Sequence, residues 1–388
     1  MNRARSTRKR SRKRAALQMN AVVVATAALA ASGATAAPAT AATGGPTPAP
    51  AQTAGSATAT GHGIRVGTVE ITTRLRNGRY ELTDPTRGGL TIKDYLNNEY
   101  FGDLELSKPF TGKDNVWGNG TTSSRESAAV DAHFAAEQAW DYFKNTFHRL
   151  GPRGDNQGPT LYVHFKKNFS HAQAIEDPMA ALFGDGTNNK KPVTSLDAVA
   201  HEYTHLVSDA TAKFGYSAES DALNEATSDI FAAMVEFQAN LPSDPPDYLF
   251  EEKVYGKSAP QRYMDKPSRD GKSPDFWKPG ITSGKDGDTH FLAGIANHFF
   301  YLLAEGSGKK TINGVAYNSP TIDGRKVAGI GRAKAARIWY EALTTQFNSA
   351  TGFKQARTGT LKAAARLYGT SSRDYAAVQK AWAAVNVK

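Results

Sequence analysis

The chain of 388 residues has no cysteine. That removes disulfide staples, a catalytic thiol and thiolate metal ligation in one step. Stability must then come from a large core or from bound ions. Long hydrophobic runs are missing too. The strongest, Ala21 to Ala31, is short of the roughly 20 apolar residues a bilayer span needs and is rich in alanine. Histidine is scarce, 9 in all, so any place where two fall together stands out.

The formal charge of +10 would ordinarily raise a nucleic-acid or membrane-surface partner. Eight of those ten charges sit on Arg3, Arg5, Arg8, Lys9, Arg10, Arg12, Lys13 and Arg14. The basic arm runs into the apolar stretch and then into small residues with A-x-A sites at Ala34 to Ala36 and Ala39 to Ala41, which is the layout of a secretory signal peptide over residues 1–37. The arm holds no Arg-Arg pair, which favours general secretion over the twin-arginine route. A processed chain near +2 is expected outside the cell, with no nucleic-acid partner and no stable membrane anchor. Residues 38–61 mix Pro, Ala, Gly and Thr without a hydrophobic period and read as a flexible linker.

Beyond the linker, IRVGTVEITTRL and GRYELTDPT alternate apolar and polar residues between Gly, Asn and Pro, the pattern of strands and hairpins. Ser124 can cap a helix that carries Val130, Phe134, Phe143 and Phe147 and ends at Gly151. TLYVHF, residues 160–165, reads as a strand. Helical periodicity then dominates, over residues 223–239, 291–303, 331–347, 353–367 and 372–385. The expectation is an α+β protein of about 350 residues after processing, with a β-rich part at 62–216 and a mainly α-helical part at 217–388. A cleft is expected where they meet.

The centre of that plan is HEYTH, His201 to His205. Apolar spacing through Leu196, Val199, Ala200, Tyr203, Leu206 and Val207 predicts a helix, which puts both imidazoles on one face a turn apart. Glu202 falls about 60° round from His205, placed to take a proton and not to ligate. Twenty residues on, NEATSDIF supplies Glu225 as a third ligand, with Asp229 one turn later. Two imidazoles, one carboxylate and an open position suit catalytic zinc, and Asp229 or Asn224 can orient the ligand histidines. His133, His148, His164 and His171 lack partners at metal spacing and read as packing or surface residues.

With HEYTHLVSD, then Tyr216, then NEATSDIF, the chain resembles the thermolysin-like neutral metalloproteases. Further matches run from YELTDPTRG to the closing AVNVK. The resemblance implies a zinc endopeptidase that acts on extended polypeptides and works as a monomer. It implies oxyanion donors at Tyr216 and His290 and a carbonyl-gripping arginine at Arg262. It implies that the strand 160–165 edges the cleft and that Gln173 and Ala174 hold the substrate backbone. The family commonly keeps an aspartate five residues before the histidine; Lys285 stands there, leaving Asp288 or Asp286 to orient His290. Asp197, Glu236, Asp247 and Glu252 match calcium ligands. Leu249 replaces the middle acidic one, so a single ion is expected. Ala198, Phe250 and Gln261 match the walls of a pocket that prefers hydrophobic side chains after the scissile bond. The family's long propeptide has no counterpart between signal and protease.

Two rivals follow from the same residues. A secreted peptide-binding protein on a decayed protease fold would explain Gln173 and Lys285, although every zinc ligand is kept. A two-His, one-carboxylate iron oxygenase would leave Glu202 without a role.

Overall fold

The computed structural model describes residues 55–100, 104–282 and 288–388. The expected signal peptide, most of the linker, Lys285 and Asp286 lie outside them.

The first half holds strands β1 (Gly55–His62), β2 (Thr68–Arg76), β3 (Arg79–Glu81), β4 (Thr83–Asp84), β5 (Leu90–Asp94), β6 (Lys108–Pro109), β7 (Thr111–Gly112) and β8 (Val116–Gly118). Helix α1 (Arg125–Phe147) follows, then β9 (Thr160–Val163), β10 (Ala172–Ile175), β11 (Ala180–Phe183) and helix α2 (Leu196–Asp209). The second half holds α3 (Ala218–Ala239), β12 (Leu249–Phe250), the short α4 (Glu252–Tyr255), β13 (Arg262–Tyr263) and α5 (His290–Ala304). A hairpin of β14 (Gly308–Ile312) and β15 (Val315–Ser319) precedes α6 (Arg332–Thr345), α7 (Phe353–Tyr368) and α8 (Arg373–Ala384). The α+β class expected from the sequence is borne out, and the boundary placed at 216/217 falls in the turn joining α2 to α3.

Two corrections concern strands. The linker was expected to run to residue 61, yet residues 55–62 form β1, paired along its length with β2 and in parallel with β8. Its residues are small because α1 presses on it: a Cβ on Gly61 would come within 2.6 Å of Val130 Cγ1. Composition alone cannot tell such a strand from a spacer. Second, β9 does not edge the cleft. In the six-stranded sheet the order β10-β11-β9-β5-β4 leaves β9 flanked on both sides, and β10 is the outer strand.

Helix α1 is lined by Ala128, Ala129, Ala132, Ala135, Ala136 and Ala139, all buried, which lets it lie close to both sheets. It ends on His148 at φ 58, whose N–H donates to Lys144 O at 2.9 Å, three residues before the Gly151 stop read from sequence. Phe143 and Phe147 of α1 meet Tyr203 of α2, Phe231 of α3 and Tyr340 of α6, with Phe147 and Tyr340 stacked at 3.9 Å. This aromatic cluster fixes α2 against α3, the two helices that carry the site. Ser217 caps α3 by accepting from Ser220 N at 3.3 Å, so that helix begins a turn and a half before the expected residue 223.

Candidate metal centre and active site

Helix α2 is buried on nearly every side, and its imidazoles point at α3. His201 Nε2 lies 3.0 Å from His205 Nε2. Glu225 Oε2 is 3.2 Å from the first, and Glu225 Oε1 is 3.6 Å from the second. A tetrahedral cation with bonds near ~2.1 Å needs ligand atoms about 3.4 Å apart, so the three fit zinc.

The hydrogen bonds around them set the same requirement. His201 Nδ1 lies 2.9 Å from Asp229 Oδ1, and His205 Nδ1 lies 3.3 Å from Asn224 Oδ1. Both acceptors demand the proton on Nδ1, so the two Nε2 lone pairs face each other and Glu225 Oε2 is buried without a hydrogen bond. A divalent cation between them would satisfy all three. Burial works against a charged His201, but Asp229 and Glu225 outweigh it and push its pKa up to about 10. Burial would raise Glu225, yet the surrounding histidines hold it well below the usual carboxylate range. Asp229 is held down likewise, against burial, chiefly by Arg262.

Arg262, half-buried, belongs to the same network. It donates to Asp229 twice, at 2.7 and 2.6 Å, and its guanidinium stacks 3.9 Å over the Phe250 ring. Asn297 of α5 completes the set by donating to Asp229 Oδ2 at 2.8 Å. One carboxylate therefore positions a zinc ligand and the arginine together.

Glu202 lines both pockets that open beside the triad, each about 300 Å³. One contains Gln173, Ala174, His205, Asp209 and Asn224. The other contains Phe250, Glu251, Tyr255, Gln261 and Arg262. Ala172 of β10 and His290 border both. The outer strand thus runs past the triad with its free side along the cleft. His171, read as a packing or surface residue, also lines this cleft. His133 and His164 are buried and bonded elsewhere, to Thr72 O and to Asp185.

His290 begins α5 with Nε2 3.2 Å from Glu225 Oε2. Asp288 meets its Nδ1 at 2.6 Å, so of the two candidates Asp288 supplies the partner that Lys285 does not. Tyr216 does not join the site. It stands in the turn between α2 and α3 with its side chain fully in solvent. Ala198 is also elsewhere, buried with Val193 and Val254.

A second cluster lies at the other end of α2. Glu236, Asp244 and Glu252 bring carboxylate oxygens within 4.8 Å of one another. Asp197 and Asp247 are buried beside them, and both Glu236 oxygens, both Glu252 oxygens, Asp244 Oδ1 and Asp247 Oδ2 lack a hydrogen bond. Burial, then mutual repulsion, raises Asp244 to about 7 and Glu252 to about 9. Burial is the main cause of the rise of Asp247 to about 6. Unpartnered hard oxygens from several segments fit calcium. Asp244 is the member the sequence reading missed; its signal was an extra acid in SDPPD, just before two prolines.

The sequence model of the thermolysin metallopeptidase catalytic domain matches residues 58–209, and that of the alpha-helical domain matches 212–387. The transglutaminase-activating metalloprotease of Streptomyces mobaraensis is 48% identical over 335 residues, covering 86% of this chain and 43% of that protein. A bacillolysin of Bacillus cereus is 35% identical over 332 residues, covering 84% of this chain and 54% of its own. The chain spans about half the length of these relatives. In fold it is similar to the precursor of protealysin, a metalloproteinase from Serratia proteamaculans, with a TM-score of 0.58 and 24% identity over 79% of this chain and 90% of the other. Both halves of the protein, and the helix pair that brings His201, His205 and Glu225 together, are accounted for by one lineage: the chain belongs to the thermolysin metallopeptidase family.

Proposed function

We propose that this chain is a secreted, zinc-dependent endopeptidase that hydrolyses peptide bonds in extended polypeptides, with Glu202 as general base. The observation that carries the reading is the convergence of His201, His205 and Glu225 at zinc spacing, with Glu202 beside them and the free side of β10 alongside.

Zinc held by these three residues would supply a Lewis acid that lowers the pKa of its water and polarises the scissile carbonyl. The rest of the chemistry belongs to the chain. A substrate laid along β10 gains main-chain hydrogen bonds whatever its side chains, and the Gln173 amide and the Ala174 carbonyl are the groups that would hold it there. Arg262, fixed by Asp229, offers its remaining N–H to a substrate carbonyl. Glu202 takes a proton from the attacking water and returns it to the departing amine. His290, backed by Asp288, donates to the oxygen that gains charge. Tyr216 contributes only after its side chain turns in from solvent.

Secretion rests on the amino-terminal pattern, the lack of a nucleic-acid partner on the small remaining charge, and a monomer on the family resemblance. One calcium ion at the Glu236, Asp244 and Glu252 cluster is part of the same proposal. Of the three wall positions read for a pocket after the scissile bond, Phe250 and Gln261 line it and Ala198 faces elsewhere, which leaves Phe250 as the apolar one.

The test is hydrolysis of casein by the zinc-loaded protein with and without phenanthroline, in the native chain and in Glu202→Ala. Chelator-sensitive cleavage that disappears in the variant supports the enzyme. Equal peptide binding by both proteins with no cleavage by either would establish the peptide-binding rival. Iron in place of zinc on metal analysis would favour the oxygenase.

A further inference from the structure

The pocket on the Arg262 side of Glu202 has a wall that a purely apolar specificity does not explain. Its one buried aromatic, Phe250, is 6% exposed, with the Arg262 guanidinium 3.9 Å above its ring and the His201 ring centroid 5.0 Å away. Little of that ring is left for a substrate. The next residue is Glu251, which also lines the pocket, together with Tyr255 and Gln261.

Glu251 sits at φ 58, ψ 25, a left-handed conformation that glycine or asparagine adopts with less strain. Its backbone is fixed there because its N–H donates to the buried Asp197. Its side chain is only partly exposed, yet among the described residues its carboxylate receives no hydrogen bond and makes no ion pair. Arg262 is near enough to attract it but makes no hydrogen bond to it, its guanidinium being turned onto both oxygens of Asp229. The Tyr255 hydroxyl is likewise engaged, donating to Ser170 O at 3.0 Å. A partly desolvated acceptor without a donor, at the side of a substrate pocket, calls for a donor from the substrate.

We infer that Glu251 determines specificity, making this pocket select a substrate side chain with an aliphatic stem and a hydrogen-bond-donating tip, Lys or Arg above all. The stem passes the exposed rim of Phe250 and the tip reaches the carboxylate. This rests on the endopeptidase reading and deepens it.

Lysine and norleucine share a stem and differ in the donor, so they isolate the effect. A positional peptide library containing both would be digested by the zinc-loaded full chain, by Glu251→Gln and by Glu251→Gly. The glycine variant relieves the left-handed backbone and so guards against misfolding. At one substrate position Lys and Arg should be favoured over norleucine. That ratio should fall about tenfold in both variants, the size of one charge-assisted hydrogen bond, with other positions unchanged. Binding gives a readout independent of turnover: the cleavage-impaired Glu202→Gln protein should bind the lysine peptide more tightly than its norleucine twin, and adding Glu251→Gln should erase the difference. Cleavage with the same ratios in all three proteins overturns the inference and leaves the protease standing. Absence of any cleavage overturns the protease, and the binding pair then decides the inference alone, an unchanged ratio sinking it.

Discussion

Asp229 is the side chain on which the active site converges: one oxygen faces His201 and Arg262, and the other faces Arg262 and Asn297. Replacing it with alanine should lower zinc affinity about 10- to 100-fold, read by competition with a fluorescent chelator, because His201 loses the acceptor that fixes its tautomer. Glu202→Gln should behave oppositely, keeping zinc stoichiometry while kcat falls by about 10²- to 10⁴-fold. An equal loss of zinc in both would mean that Glu202 is a ligand. The two histidines were legible because helical period alone decides which residues share a face, and Glu225 because it stands in a second polar motif on the next helix. Asp244, Glu251 and the outward turn of Tyr216 were not, since each lies on a loop or turn whose path is set by distant partners. Arg262 was placed by resemblance, and only its contacts show that it shares Asp229 with the metal site.

At the level of elements, the loop between β1 and β2 is clamped by one buried group. Asp131 of α1 accepts from the N–H groups of Ile64, Arg65 and Val66 at 3.2, 2.9 and 3.0 Å, and Arg65 reaches on to Lys253 O at 2.9 Å beside the acidic cluster. Removing the carboxylate in Asp131→Ala strands three donors. At about 1–3 kcal/mol for each unsatisfied group, urea unfolding should show a loss of at least about 3 kcal/mol. A change under 1 kcal/mol would mean that water replaces the clamp. The long helices were readable to within a few residues because each buries a stripe against the core. The strands were less so. β1 is built from residues small enough to pass for a spacer, and a short apolar run such as β9 gives no hint of whether its neighbours are strand or solvent.

For the whole molecule, the acidic cluster ties stability to calcium and pH. In the metal-free fold Asp247, Asp244 and Glu252 titrate near 6, 7 and 9, all above the roughly 4 of an unfolded chain. The fold therefore retains protons that the unfolded chain releases. The cluster's own contribution to metal-free stability is greatest below about pH 4 and is lost as pH rises from there to about 9. Bound calcium replaces those protons, so the melting temperature gained on adding it should be larger at pH 8 than at pH 5. A gain independent of pH would show that the cluster is not where the ion binds. The lone outer strand at the cleft carries a separate consequence for what this molecule can attack. On the proposed endopeptidase reading, several consecutive residues of a target must be drawn out straight before the bond is presented, and a well-folded globule has none to spare. Hinges, tails and half-melted proteins would be cut first, and gentle warming of a target should do more to expose it than any change in the residues flanking the bond.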